Sequence, residues 1–385
     1  MITPWIGSKK ILVIPVIVTG SAQYLPPPAD WLALIKRRIY YDPHPTSGVD
    51  RSLRGYIHAI SCGKAQLVAD VSEPIRIPVA ADGSCRTGAA IQAHPHAHLY
   101  EFACVIFTDG PHNCGGMAAW GGLFTFSPPR PGNILHGRTR VKLSEQMGVW
   151  AMELLHAVTG FGDLYFTNPH PGRFDEMACA CGTHPSAYTK MYMGWINAST
   201  IPFVETVLHK EYLLYAVGLL QPPPPQYVSA LKIPIGTLGH YYIVECRLRV
   251  DQFEKQTEGC SAGIPSEGVI VNEVDPSGPS PLTLKTTVAL TTGQNLTLPD
   301  IGASIEVKEA VNGGYRIAVQ LSATVVCGTL KNQIAVLEAI IVRSQQQLET
   351  AAPAQKKAIL NRINRDQEKI RMLNIEMTEL GCSTD

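Results

Sequence analysis

The chain has 385 residues, 45% of them hydrophobic, and its 32 Lys and Arg balance 32 Asp and Glu, for a formal net charge of zero. That length exceeds the roughly 250–300 residues at which a single core stops growing, so two or three structural units are expected. The balanced charge leaves no basic footprint for nucleic acid and no surface for a strongly acidic partner.

No segment reaches the about 20 apolar residues needed to span a bilayer. The first apolar run, Ile11–Val18 (ILVIPVIV), is short, contains Pro15 and lacks a small-residue cleavage site at the right distance, so it reads as a buried strand and no signal peptide is evident. Trp31–Tyr40 has helical spacing behind Asp30, Gly55–Cys62 and Ala65–Val71 read as the strands of a hairpin, and Leu99–Phe107 is a strong strand. Arg138–Leu143 alternates as an exposed edge strand does. A helix follows, with Ser144 as its N-cap and Met147, Trp150, Leu154, Leu155 and Val158 as its apolar stripe; Gly160 and Gly162 permit a sharp turn after it. A further helical stretch, Ser186–Trp195, comes after a Cys-rich loop.

The four-proline run Pro222–Pro225 marks a boundary, since proline fits neither a helix interior nor a central strand. Beyond it, Tyr241–Val250, Glu267–Val274, Leu284–Leu290, Ala303–Lys308 and Gly314–Val326 alternate with turns, as in a β-sandwich. From Leu330 glycine and proline nearly vanish. Ile334, Leu337, Ile341 and Leu348, then Ile359, Ile363, Ile370, Leu373, Met377 and Leu380, form two heptad seams, with Asp366 in one gap. These predict an antiparallel helical hairpin opened at Pro353. Its units are thus residues 1–221, a β-sandwich at 226–328 and the hairpin at 329–385.

There are ten cysteines, many for a cytosolic chain, which predicts at least one disulfide and is compatible with an extracellular location. Cys327 and Cys382 flank the two hairpin helices. Arms of about 20 and about 26 residues differ by only ~9 Å at 1.5 Å per residue, so the two ends meet and a disulfide between them is expected. Cys179 and Cys181 form a C-x-C pair, but no C-x-x-C occurs, which argues against a structural zinc knuckle.

The segment with chemical content is Gly148–Tyr165, GVWAMELLHAVTGFGDLY. A zinc peptidase helix needs H-E-x-x-H, because imidazoles at i and i+4 share one helix face and the glutamate polarises the metal-bound water. Glu153 and His156 hold the second and fifth positions of that pattern and Met152 the first. E-x-x-H alone is weak evidence, but its context adds to it. KILVIPVIV, YYDPHPTSGVDRSLRGYIH and YEFACVIF, then CGGMAAW ahead of the helix and FDEMACACGTHPSAYTKMYMGW after it, and finally YYIVECRLRV and SEGVIVNEV, occur in one order. Together they resemble the bacterial immune-inhibitor-A-type zinc metallopeptidases over residues 8–326, leaving the hairpin outside the resemblance.

The resemblance implies an α+β fold: a metallopeptidase-like catalytic domain with a mixed sheet and zinc-type helix, followed by the β-sandwich and hairpin. It also implies zinc as cofactor and a peptide or protein as ligand. Carried over, Glu153 matches the general base, His156 a zinc ligand, and Met177 the Met-turn residue that packs beneath the metal without binding it. The family's third ligand lies six residues after the second histidine, where this chain has Gly162; Asp163, one residue on, is the candidate. Met152 departs from the pattern, because a neutral thioether is a poor ligand for Zn²⁺ compared with imidazole. His184, in CGTHPS, is the candidate substitute ligand.

The expected function is therefore a pseudopeptidase, catalytically impaired or inactive and metal-poor, that retains a peptide-binding cleft. Two alternatives stand beside it: an active zinc metalloendopeptidase with an unusual ligand set, and a structural or assembly protein that oligomerises through its hairpin. Other patterns are weaker. His94, His96 and His98 would point to one side of an extended segment and read mainly as a polar loop. His112 and Cys114, with Gly115 and Gly116, read as a tight turn or a substrate-cleft loop. Asn197 and Asn295 match glycosylation sequons, while no dinucleotide fingerprint or nucleophile elbow occurs.

Overall fold

The structure, a computed structural model, describes residues 2–20, 27–78, 80, 83–110, 114–121, 124–132, 135–204, 209–235, 239–255 and 262–382. The fold is mixed α+β, with several sheets and a C-terminal helix pair.

The first part comprises β1 (Gly7–Thr19), α1 (Trp31–Tyr40), α2 (Leu53–Ile60), β2 (Ala65–Val71), β3 (Ile75–Pro78), α3 (Thr87–Ala93), β4 (Phe102–Phe107), β5 (Met117–Trp120), β6 (Gly137–Lys142) and α4 (Met147–Thr159). Its sheet runs β2-β1-β4-β6-β5, with β3 also paired to β1. Only β5 is antiparallel to its neighbour. β1 is a continuous apolar run because both of its faces are covered: Ile11 and Val13 join the cluster containing α1, α2 and α4, while Leu12, Ile14 and Val16 join the one containing α3. Pro15 lies where the partner on one side of β1 changes from β2, whose pairing ends at Val13, to β3, whose pairing begins at Val16, so its missing N–H leaves no ladder bond unmade there.

Three local expectations change. Leu53–Ile60 is a helix rather than a hairpin strand: Ser52 caps it by accepting from the Gly55 N–H, and Leu53, Tyr56, Ile57 and Ile60 bury one helical face. It lies in the crossover that joins the parallel strands β1 and β2. β6 is an interior strand, and the edge belongs to β5. α4 begins at Met147 with Gln146 as its N-cap; the Ser144 hydroxyl is bonded to Asp109 instead.

Next come α5 (Glu176–Cys179), α6 (Ala187–Tyr192), β7 (His209–Tyr215), β8 (Tyr227–Val228), β9 (Ala230–Pro234), β10 (Tyr241–Arg247), β11 (Gly268–Val274), β12 (Leu282–Leu284), β13 (Asn295–Leu298), β14 (Ala303–Val311) and β15 (Gly314–Gln320). They form two sheets, β12-β11-β10-β9 and β13-β14-β15-β7-β8. Val244, Val269 and Val271 of the first share one apolar cluster with Ile305, Ile317 and Val319 of the second. The opposite face of the first sheet, through Tyr241, Ile243 and Val274, joins the main cluster of the α/β part. The proline run is exposed to half-buried, yet the chain pairs across it: β7, from before the run, hydrogen-bonds to both β15 and β8.

The C-terminal pair is α7 (Ala323–Thr350) and α8 (Pro353–Glu379). Ile341 is buried on α7, and Ile363, Asp366, Leu373 and Met377 on α8, at seam positions read from the heptads with Asp366 in the gap; Ser344, in the gap between Ile341 and Leu348, is buried as well. Cys327 and Cys382 are disulfide-bonded, with Cα atoms 5.5 Å apart; Cys327 sits within the first turns of α7 rather than ahead of the helix. Val326, Leu330 and Met377 fix the base of the pair to the two-sheet core. Among the described residues only α7 is long and apolar enough to cross a membrane by length and composition, and it lies along the polar α8, so no membrane span is clear.

Candidate functional site

α4 carries the residues singled out from the sequence. It ends at Gly160, whose φ of +70° closes the helix while the Gly160 N–H donates to the His156 carbonyl. The chain then turns back, and Asp163 meets His156: Nε2 to Oδ1 is 2.9 Å. His156 Nδ1 lies 2.5 Å from the Phe161 carbonyl oxygen. Both ring nitrogens thus face acceptors. Burial works against the charged ring, but the Asp163 carboxylate and the Phe161 carbonyl outweigh it and hold the His156 pKa above its ordinary value. Asp163 stays below the usual carboxylate range: burial opposes ionisation, and the hydrogen bond and charge of His156 overcome it. Burial pushes Glu153 up to about 7; His156 opposes that shift, and the carboxylates of Asp163 and Glu145 add to it.

Met152, Glu153, His156 and Asp163 line one cleft of about 370 Å³, together with Gly116, Met117, Trp120 and Tyr165. Met152 and His156 thus open to the same space, as their i, i+4 spacing requires. The Met152 side chain is nevertheless 5% exposed and belongs to the main apolar cluster. Gly116 allows close approach: a Cβ there would come within 2.7 Å of Glu153 Oε1 and 2.9 Å of a Val149 methyl. The Gly116 N–H donates to Glu145 Oε1 at 3.1 Å, and the other Glu145 oxygen accepts from Lys142 N at 2.7 Å. β5 runs along the cleft as the last strand of its sheet.

The other sequence candidates lie elsewhere. Met177 is fully buried, and its carbonyl accepts from the Leu164 N–H at 2.8 Å, which ties it to the residue after Asp163. His184 does not line the cleft. Its Nε2 lies 2.8 Å from Asp251 Oδ2 and its Nδ1 3.1 Å from the buried Lys190 Nζ. Lys190 also donates to the Val217 carbonyl at 2.6 Å. His94 caps the end of α3 and Ala97–Leu99 is a 3₁₀ turn, so the three histidines do not share an extended segment. Cys114 is disulfide-bonded to Cys85; His112 lies outside the described residues.

Zinc requires three protein ligands and an open position in a catalytic site. The helix supplies one imidazole, His156, and the turn one carboxylate, Asp163, while the first ligand position holds a buried thioether. Among the described residues no group of three or more His, Cys, Asp or Glu side chains is arranged to hold a metal ion. The residues therefore do not fit a three-ligand zinc centre.

Sequence reasoning missed Trp120 and Tyr165 at the cleft. Trp120 packs on Gly160, where a Cβ would lie 2.4 Å from its ring, and Tyr165 lines the cleft beside Asp163, whose carboxylate, after burial, helps push the phenol up to about 12. Neither contact leaves a spacing signal, since one joins β5 to α4 and the other depends on how the turn closes. No family model matches the chain, and no curated protein does.

Proposed function

We propose that this chain is a metallopeptidase-like protein of the immune-inhibitor-A type that has lost its zinc chemistry and retains a peptide-binding cleft. The observation that carries this reading is Met152, which stands at the first-ligand position and lines the same cleft as Glu153, His156 and Asp163. A neutral thioether is a poor ligand for Zn²⁺ compared with an imidazole. Without the metal, Glu153 has no bound water to polarise.

The cleft still suits an extended peptide. Among the described residues β5 pairs with β6 alone, and its residues wall the cleft, so a peptide can add to it by backbone pairing. Trp120 and Tyr165 offer apolar surface for its side chains. The test is metal content of protein purified without chelator, together with binding and cleavage of a random-sequence peptide library. The reading expects well under one zinc per chain, bound peptides and no cleavage products. Stoichiometric zinc with chelator-sensitive proteolysis overturns it.

A further inference from the structure

The Cys-rich loop that follows the candidate site contains a disulfide between Cys179 and Cys181, two residues apart in the sequence. Such a bond closes the smallest loop of the three disulfides among the described residues; Cys85–Cys114 and Cys327–Cys382 have separations of 29 and 55 residues. The constraint a disulfide places on the unfolded chain grows with loop length, so this one adds least to stability. Between the two cysteines, Ala180, a residue with a Cβ, caps α5 in the left-handed region at φ +53°.

On the Cys181 side the pair faces a recess with more basic than acidic side chains, while Glu176, buried in the same loop, accepts from the Gly182 N–H at 2.7 Å. Cys181 lines a recess of about 440 Å³ with Arg37, Arg38 and Arg51. One carboxylate in the recess, Asp42, lies 2.7 Å from Arg37 Nε and 3.5 Å from Arg51 Nη2. Asp109, near Arg38, is engaged by the Ser144 hydroxyl at 2.5 Å. Met147 and Gly148, in the first turn of the 13-residue helix α4, form another wall; that turn carries no acidic residue, and the N-cap makes no side-chain bond. The helix end and the loop are in direct contact: a Cβ on Gly148 would lie 2.2 Å from the Ala180 carbonyl oxygen and 2.5 Å from Gly182 N. Arginines and a helix N-terminus are the features that stabilise a cysteine thiolate.

We propose that Cys179–Cys181 is a thiol–disulfide exchange centre that reacts with small anionic thiols admitted by the arginine-walled recess. The thiolate of the incoming molecule attacks Cys181 Sγ. A mixed disulfide forms on Cys181, and Cys179 leaves as a thiolate that takes up a proton. A second small thiolate attacks the small-molecule sulfur of the mixed disulfide and releases Cys181 as a thiolate beside the arginines. Two thiols are oxidised to one disulfide, and the two electrons reside in the Cys179 and Cys181 thiols; the reverse sequence uses a small-molecule disulfide as oxidant. This activity is independent of zinc and of the peptide cleft.

The experiment exposes the full chain to three small thiols: anionic mercaptoethanesulfonate, neutral mercaptoethanol and cationic aminoethanethiol. Alkylation quenching and peptide mass mapping then follow each cysteine pair. The expected result is that Cys179–Cys181 opens before the other two bonds, that the mixed disulfide maps to Cys181, and that the anionic thiol reacts roughly tenfold or more faster than the cationic one. Added salt should shrink that preference in the unmodified protein. Arg37→Gln combined with Arg51→Gln should remove it, with Arg37→Gln alone as the milder variant. If Cys179–Cys181 opens no sooner than Cys327–Cys382, or its rate is indifferent to thiol charge and salt, the proposal is overturned.

Discussion

His156 Nε2 lies 2.9 Å from Asp163 Oδ1 across the turn that follows α4, so the two side chains proposed as ligands are bonded to each other. Met152, packed into the apolar cluster one helical turn away, is the position at which the proposed reading is tested.

Met152→His should raise zinc affinity by more than the roughly 10–100-fold that an outer-shell partner contributes, because it supplies a direct ligand. Without metal the variant should lose about 1–2 kcal/mol of stability, since an imidazole replaces a buried thioether. Equilibrium dialysis against zinc and denaturant unfolding with and without the metal measure both effects. A variant that binds zinc no better than the parent removes the resemblance as a guide to this helix.

Asp251 gives a pH signature far from the cleft. Burial alone would raise its pKa, but the charge and hydrogen bond of His184 and the backbone N–H groups of Glu254 and Phe253 hold it at about 2, below the ordinary 3.8. The folded value is the lower one, so the stabilisation is complete above about pH 4 and is lost as pH falls through about 2. Its size is about 2 kcal/mol from the difference between the two pKa values. Asp251→Asn should abolish this part of the acid limb, read from urea midpoints between pH 2 and pH 6.

Cys327→Ser with Cys382→Ser should loosen the hairpin. The bond spans 55 residues, and a loop of that size corresponds to about 4 kcal/mol in the chain-entropy view. Hydrogen exchange should accelerate across α7 and α8, while β1 and β4 keep their protection. Equal protection of the hairpin in both proteins would show that the heptad seam alone holds it.

Gly148→Ala tests the contact between α4 and the C-x-C loop. Alanine is a better helix former, yet its Cβ would enter the space of the Ala180 carbonyl. The clash should dominate, with a net loss of about 1–3 kcal/mol in thermal or urea unfolding. A stabilised variant would mean the loop moves aside without cost.

Short-range periodicity made much of this protein legible. The 3.6-residue stripe located α4, and the heptads located α7 and α8 with Asp366 at the gap. The matching arm lengths brought Cys327 to Cys382, because a hairpin's ends are determined by local geometry. Other features depended on partners distant in sequence. Leu53, Tyr56, Ile57 and Ile60 already have the spacing of one helical face, which a hairpin reading passes over; the crossover between the parallel strands β1 and β2 is what gives that short helix its place. The proline run interrupts the chain locally, but nothing local reveals that β7 pairs with β15 about a hundred residues later. The same holds at the sites. Residue types and spacing named Met152, Glu153, His156 and Asp163; which of them touch was decided by the turn after Gly160. His184 was bound by Asp251 and Lys190 instead, since a buried imidazole takes the polar partners the tertiary fold brings within hydrogen-bond reach.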